Sequence, residues 1–360
     1  MDEIKTTKKP LLEVKNLKKY FPIKKGLSNK VLGYVKAVND VSFDICENET
    51  VGLVGESGCG KSTTGNCILR LLDVDGGEIL YHDSDGSVVD IAKLKEKYFR
   101  KYRKYIQMIF QDPFSSLDPR MTTFDIISEP LLAFSKIKKE ERKRIVSELM
   151  GKVGLRPEYI DRYPHSFSGG QRQRIGIARA IALNPRFIVC DESLSSLDVS
   201  VQAQILDLLK NLKDEYGMSY LFIAHDLSVV KHLCDRVAVM YVGKIVETAS
   251  TEDLYSKPLH PYTEALLSSV PKTTAGKVIR KDVLEGEVPD PTKPPEGCFF
   301  HTRCQYCTEE CKKSDQALIE VQTNNGIRYT SCIRYKELDL KGIEEKINEY
   351  EKKETDNEKI

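Results

Sequence analysis

No stretch of this chain approaches the roughly 20 consecutive apolar residues that a membrane-spanning helix needs, so it is not expected to cross a bilayer. Residues 1–10 are charged and lack the apolar core of a secretory leader. The expectation is a cytoplasmic protein that serves a membrane only through another chain. An excess of one charge is also missing: 55 Lys and Arg against 54 Asp and Glu leave +1, so no bulk field draws nucleic acid or anionic lipid. Sustained heptads are absent, which argues against a long coiled coil. What is present is 40% hydrophobic content over 360 residues, enough for one large cored domain and a smaller one.

The most informative stretch is Gly55-Glu56-Ser57-Gly58-Cys59-Gly60-Lys61-Ser62-Thr63. It follows an apolar β-type run at 50–54 and opens a helical pattern at 62–72, the setting in which G-x-x-x-x-G-K-[ST] means a phosphate cradle. Gly55, Gly58 and Gly60 let the backbone curl into a ring of N–H donors, and the positive end of the following helix adds to the field that holds an anion. Lys61 is then placed for the β- and γ-phosphates and the Ser62 hydroxyl for magnesium.

Before this loop, residues 11–21 and 35–45 alternate apolar and polar positions as half-buried antiparallel strands do, with a polar loop over 24–33. Tyr20 or Phe21 would serve equally as a ring to stack on adenine or as a strand-end core aromatic. After it, a strand at 106–109 runs into the amide of Gln111 beside Pro113. Residues 122–155 carry apolar positions at helical spacing, with a charged run at 136–144 between two helices. The segment Ser168-Gly169-Gly170-Gln171 caps a helix at 172–183 and offers a second anion-binding N-terminus.

Residues 186–190 form a continuous apolar run closed by Asp191 and Glu192. A strand buried on both faces of a parallel sheet reads this way, and its C-terminal end is where open α/β sheets place ligands. Asp191 suits a metal shell and Glu192 the polarising of water. Asp198 precedes a helix at 201–216, and a further core strand at 220–224 ends in His225, placed to hydrogen-bond a terminal phosphate. Residues 236–246 read as an edge hairpin around Gly243, and His260-Pro261-Tyr262 opens a helix at 263–270.

Taken in order, Lys61, Gln111, Ser168 to Gln171, Asp191 with Glu192, Asp198 and His225 resemble the Walker A, Q-loop, signature, Walker B, D-loop and H-loop of the nucleotide-binding subunit of ABC transporters. The resemblance covers about 11–256, and within that family it is greatest to the F-type ATPase of oligopeptide or dipeptide importers, through QMIFQDPFSSLDPR at 107–120 and the run 198–204. Phe167, Ser193 and Ser196 depart from the family pattern without removing a group that touches phosphate or metal. The resemblance implies an α/β P-loop NTPase (RecA-like) core with an antiparallel β subdomain and a helical subdomain at about 97–175. To this it adds a 1–10 tail, a small irregular Cys-rich C-terminal domain at 257–335 and a charged tail at 336–360.

It also implies ATP and Mg2+, the latter on Ser62, Gln111 and Asp191. Glu192, Gln111 and His225 would act in catalysis, and Ser168 and Gly170 would face a partner's nucleotide. The implied partners are a paralogous D-type ATPase subunit, two membrane permease subunits and an extracytoplasmic peptide-binding protein, with no nucleic acid. The implied location is the cytoplasmic side of the cell membrane. Nickel or another small solute is an alternative cargo, and a soluble non-transport ABC ATPase an alternative role.

Ten cysteines are present; Cys46, Cys59, Cys67, Cys190 and Cys234 are scattered, whereas Cys298, Cys304, Cys307, Cys311 and Cys332 cluster in a Pro- and Gly-rich region. In a reducing compartment the cluster points to iron–sulfur or zinc before a disulfide. The resemblance favours a [4Fe-4S] cluster on Cys298, Cys304, Cys311 and Cys332, with zinc the alternative and Cys307 extra.

Overall fold

The computed structural model describes residues 9–25, 30–112, 114–192, 198–269, 272–274, 277–279, 286–323 and 326–342. Two sheets organise it. The strands β1 (Pro10–Lys25), β2 (Lys30–Cys46), β4 (Gly76–His82) and β5 (Val88–Asp90) form an antiparallel sheet in the order β2-β1-β4-β5. The first two are longer than their alternation suggests: pairing continues from Tyr20 opposite Lys36 to Lys25 opposite Lys30. The polar stretch expected as a loop over 24–33 is therefore mostly strand, because cross-strand backbone bonds hold it where side-chain patterning is silent.

The larger sheet contains β3 (Thr50–Val54), β6 (Ile106–Ile109), β7 (Phe187–Asp191), β8 (Ser219–Ala224), β9 (Arg236–Tyr241) and β10 (Lys244–Ser250). A short pair, β11 (Lys272–Thr274) and β12 (Lys277–Ile279), stands apart, and β13 (Ile319–Thr323) with β14 (Gly326–Thr330) completes the large sheet. Its order is β13-β14-β10-β9-β3-β8-β7-β6, with β6, β7, β8, β3 and β9 mutually parallel and the rest antiparallel.

The helices are α1 (Lys61–Ile68), α2 (Glu96–Phe99), α3 (Thr123–Phe134), α4 (Lys139–Lys152), α5 (Gly169–Ile181), α6 (Val199–Tyr216), α7 (Leu227–Leu233), α8 (Thr251–Ser256) and α9 (Pro261–Ser268). The charged run at 136–144, placed between two helices and expected as a solvated helix face, supplies the exposed first turns of α4. Its Arg144 pairs with Glu141 and Glu148 at helical spacing on the solvated face.

The continuous apolar strands have the physical consequence that both faces of the parallel sheet are covered. Phe187 and Val189 of β7 join Leu221 and Ile223 of β8 in one core shared with the small sheet and α1; Ile188 and Cys190 join Tyr220 and Phe222 in the other, shared with α3, α4, α5 and α6. Gly65 of α1 permits this, because a β-carbon there would lie 2.8 Å from Ile223 Cδ1 and 3.1 Å from Val189 Cγ1.

The hairpin at 236–250 is not an edge. Its first strand runs parallel to β3, and its second is covered by β14 through Glu247 opposite Thr330 and Thr248 opposite Tyr329. The C-terminal segment thus continues the central sheet, and Phe299 and Phe300 enter the core beside α9 rather than building one of their own. An ion pair locks this junction: Arg328 lies 3.0 Å from Glu247, whose carboxylate is fully buried and also accepts from the Leu259 and His260 N–H groups. Burial outweighs Arg328 and these donors and raises the Glu247 pKa. The positions 343–360 and 193–197, the latter including the departures Ser193 and Ser196, lie outside the described residues.

Replacing Arg328 with Met should destabilise the protein by about 3 kcal/mol, the usual cost of orphaning one member of a buried pair. Chemical denaturation of the full chain checks it.

Candidate functional site

The phosphate loop leaves the C-terminal end of β3 and enters α1, and its shape is enforced by close approach. A β-carbon on Gly60 (φ 110°) would fall 2.0 Å from the Ala37 carbonyl oxygen and 2.7 Å from Met240 Cε. One on Gly55 (φ 154°) would fall 2.2 Å from the Met240 carbonyl oxygen. The Gly243 N–H donates to the Cys59 carbonyl at 2.9 Å, so the turn after β9 braces the loop from outside. Lys61 is buried, and its Nζ donates to the carbonyls of Gly55 (2.8 Å) and Glu56 (3.0 Å). The first N–H groups of α1 have no carbonyl of their own helix to meet.

Around this loop the other sheet ends deliver their polar groups. Ser62 Oγ donates to Asp191 Oδ1 at 2.9 Å, bringing together the two oxygens expected at a metal. Burial pushes the Asp191 carboxyl above the ordinary carboxylate range, partly countered by that hydroxyl; a divalent cation here would restore the ionised form. Glu192, held at a positive φ of 37°, accepts from Gln111 Nε2 at 2.7 Å and lies 3.5 Å from His225 Nδ1. Backbone strain of this kind in a non-glycine residue concentrates at functional sites. Four separate strand ends, after β3, β6, β7 and β8, therefore converge on one carboxylate pair.

Other residues named from the sequence lie elsewhere. Ser168 is exposed at the start of α5 and forms a capping box with Gln171: the Gln171 N–H donates to Ser168 Oγ (3.3 Å) and the Ser168 N–H to Gln171 Oε1 (3.1 Å). Gly170 must lack a side chain because α6 crosses here, with Val201 Cγ1 2.6 Å from the would-be β-carbon. Asp198 is exposed at the N-terminus of α6 and makes no side-chain cap. The hydroxyl of Tyr20 donates to Asn39 Oδ1 at 2.9 Å, and Lys19 Nζ sits 5.5 Å from the Phe21 ring centre. Within the phosphate loop, the side chains of Glu56 and Cys59 turn toward protein: Cys59 is 3% exposed, and Glu56 meets Arg303.

Beside Gln111 runs an open groove bordered by Met108, Asp112, Ser116 and Arg179. Phe110 and Phe114 are exposed along this segment, with the Arg179 and Arg172 guanidinium groups 5.4 and 4.4 Å from their ring centres.

The cysteines form a second assembly. Cys298, Cys304, Cys311 and Cys332 line one pocket with His260, and Cys307 does not. Burial pushes the thiols of Cys304 and Cys332 up to about 11 and 12, and that of Cys298 also upward, so their thiolates need a cationic partner to persist. Among the described residues, Asp44, Cys46 and Glu49 are the one trio of ligand atoms within 4.8 Å of one another. Arg236 pairs with both of those carboxylates, at 3.0 and 2.9 Å, and fills that place with a guanidinium.

Sequence reasoning did not find Tyr262 and Arg303, which reach the phosphate loop from distant segments. The Ser168–Gln171 box, in contrast, carries a local signature, Ser-x-x-Gln before an apolar helix.

A family model for the ABC transporter matches residues 38–195, and one for the oligopeptide/dipeptide transporter C-terminal region matches 246–311. The oligopeptide transport ATP-binding protein AppF of Bacillus subtilis is 52% identical over 306 residues, covering 84% of this chain and 92% of that one. YkfD, also of Bacillus subtilis, is 48% identical over 335 residues, covering 92% and 98%. An ATP-binding cassette solved as a dimer in a post-hydrolysis state with ADP and phosphate superposes with a TM-score of 0.58 at 27% identity, over 67% of this chain and 99% of that one.

Lys61→Ala should abolish measurable MgATP binding or weaken it at least tenfold, since it deletes the ammonium expected to meet the β- and γ-phosphates. Isothermal titration of the full chain reads this, and unchanged affinity would refute the role.

Proposed function

The chain belongs to the ABC transporter family, with the C-terminal region of its oligopeptide/dipeptide branch, and we propose that it is the cytoplasmic-side ATPase that powers import of oligopeptides or dipeptides. ATP hydrolysis is the reaction of this family. The observation that carries the reading is the convergence of Lys61, Ser62, Asp191, Gln111, Glu192 and His225 at one edge of a parallel sheet, in relatives named for oligopeptide transport.

In this reading Lys61 and the loop N–H groups hold the β- and γ-phosphates, while Ser62, Asp191 and Gln111 offer oxygens to Mg2+, which would offset phosphate charge. The Glu192 carboxylate accepts the bond of an attacking water and aligns it with the γ-phosphorus. His225 then exchanges its present contact with Glu192 for the γ-phosphate.

The signature residues Ser168 and Gly170 belong to the other half of the reaction. Ser168 is exposed and spends its hydroxyl on its own helix cap, which suits a donor that meets a nucleotide only when a second cassette docks head to tail. A D-type paralogue is the proposed second cassette. ATP then works by binding the closed pair better than the open one, and loss of the γ-phosphate contacts reopens it. The groove beside Gln111, with Phe110 and Phe114 at its side, is proposed to take a short helix of a permease, so closure of the pair moves the membrane subunits. No helix among the described residues is long and apolar enough to cross a membrane itself, which supports a peripheral attachment. An extracytoplasmic peptide-binding protein would deliver the cargo.

A [4Fe-4S] group on Cys298, Cys304, Cys311 and Cys332 is part of the same proposal. What supports a group held there is that the four sulfurs line one pocket. Its role would be structural, fixing a turn-rich segment that lies against α9.

Glu192→Gln in the assembled transporter should keep MgATP affinity within about twofold while lowering turnover by at least a hundredfold, the range expected for losing a general base; unimpaired turnover sinks the assignment. Chain purified without oxygen should carry iron and acid-labile sulfide at about four each. Zinc at one equivalent in their place would reverse the choice of metal.

A further inference from the structure

Glu56 is the single carboxylate within the phosphate loop, and a carboxylate is an unfavourable neighbour for a triphosphate. The structure grips it from three sides. Arg303 makes a forked pair with it, Nη1 to Oε2 at 2.7 Å and Nη2 to Oε1 at 3.1 Å. The Glu56 N–H donates to the Tyr262 hydroxyl at 2.8 Å, and the Glu56 carbonyl accepts from Lys61. The Arg303 side chain is 3% exposed and also donates to the Tyr241 hydroxyl. Tyr241, Tyr262 and Phe300 pack ring against ring at 4.5 to 5.4 Å, so neither anchor is free to swing.

We infer that Arg303 and Tyr262 are positioning residues for nucleotide binding: Arg303 neutralises Glu56 and turns its carboxylate away from the cradle, and Tyr262 fixes the loop backbone at the same residue. The forked geometry matters, because a guanidinium presents two parallel donors and so fixes direction as well as charge. When a phosphate draws the Lys61 ammonium from the Gly55 and Glu56 carbonyls, these two anchors still hold Glu56, alongside the close backbone packing at Gly55 and Gly60. The cradle is preorganised and loses less on binding.

Both anchors come from the C-terminal segment. Arg303 sits in the turn between Cys298 and Cys304, where the His301 N–H donates to the Cys298 carbonyl and the Arg303 N–H to the Phe300 carbonyl. The guanidinium is thus mounted on the rim of the thiol pocket. Tyr262 is in the first turn of α9, whose N-terminal cap is the His260 ring, accepting the Tyr262 N–H at Nδ1. The C-terminal region therefore acts on the ATP site through one residue of the loop, by a contact the phosphate-loop motif does not encode.

MgATP titration of the full-length chain tests this, with a thermal melt of every variant alongside. Arg303→Met should weaken binding roughly tenfold, inside the range typical of coupling between sites, and Arg303→Lys by less. Tyr262→Phe, which removes only the acceptor, should cost roughly fivefold. The deciding variant is Glu56→Gln combined with Arg303→Met, which removes the carboxylate together with its partner and should recover most of the loss. In the assembled transporter Arg303→Met should raise KM for ATP more than it lowers kcat. Wild-type affinity in folded Arg303→Met overturns the inference, as does a double variant that melts normally and binds no better than the single one. Should Arg303→Met fail to fold, Arg303→Lys and the double variant carry the same contrast.

Discussion

Everything this molecule does with phosphate hangs on how closely the loop backbone at Gly55 and Gly60 passes its neighbours. The carbonyl oxygens of Met240 and Ala37 occupy the space that β-carbons would need, at 2.2 and 2.0 Å. That contact presses the loop backbone against the middle of β2 and the end of β9, and it costs two glycines their freedom to carry side chains. An anion can then be held by groups that do not have to reorganise when it arrives. The parallel sheet exists, in this sense, to hold one irregular turn still.

The remainder of the site follows from the same geometry. Parallel strands end on the same edge, so the residues just past β3, β6, β7 and β8 are neighbours although they are far apart in sequence. A buried Asp191 and a half-buried Glu192 are tolerable there because each has a partner: Ser62 for Asp191, Gln111 for Glu192. The expense of desolvation is visible in the upward displacement of the Asp191 carboxyl, and it identifies that position as one awaiting positive charge.

Much of this was legible before any coordinates. The strand, glycine turn and helix around Lys61 are set by local sterics, and so is the capping box at Ser168 and Gln171. Apolar runs such as 187–190 announce burial on both faces, and the order of motifs identified the family. Less legible was the length of β1 and β2, because a polar hairpin is held by backbone pairing that has no side-chain pattern. The placement of residues 236–250 inside the sheet was missed for a related reason: the strand that covers them, β14, lies some 80 residues further on.

By itself, then, the sequence determined which segments carry the glycine-rich loop, the carboxylates and the thiols, since each of those patterns depends on residues within a few positions of one another. Only the tertiary structure decided that the thiol-bearing turn would lie against the phosphate loop, with Arg303 meeting Glu56 across 247 residues of chain. The physical reason is range. Steric rules and hydrogen-bonding preferences act between near neighbours, whereas an ion pair between distant segments forms only where two packed surfaces, each shaped by the whole core, happen to bring them within 3 Å.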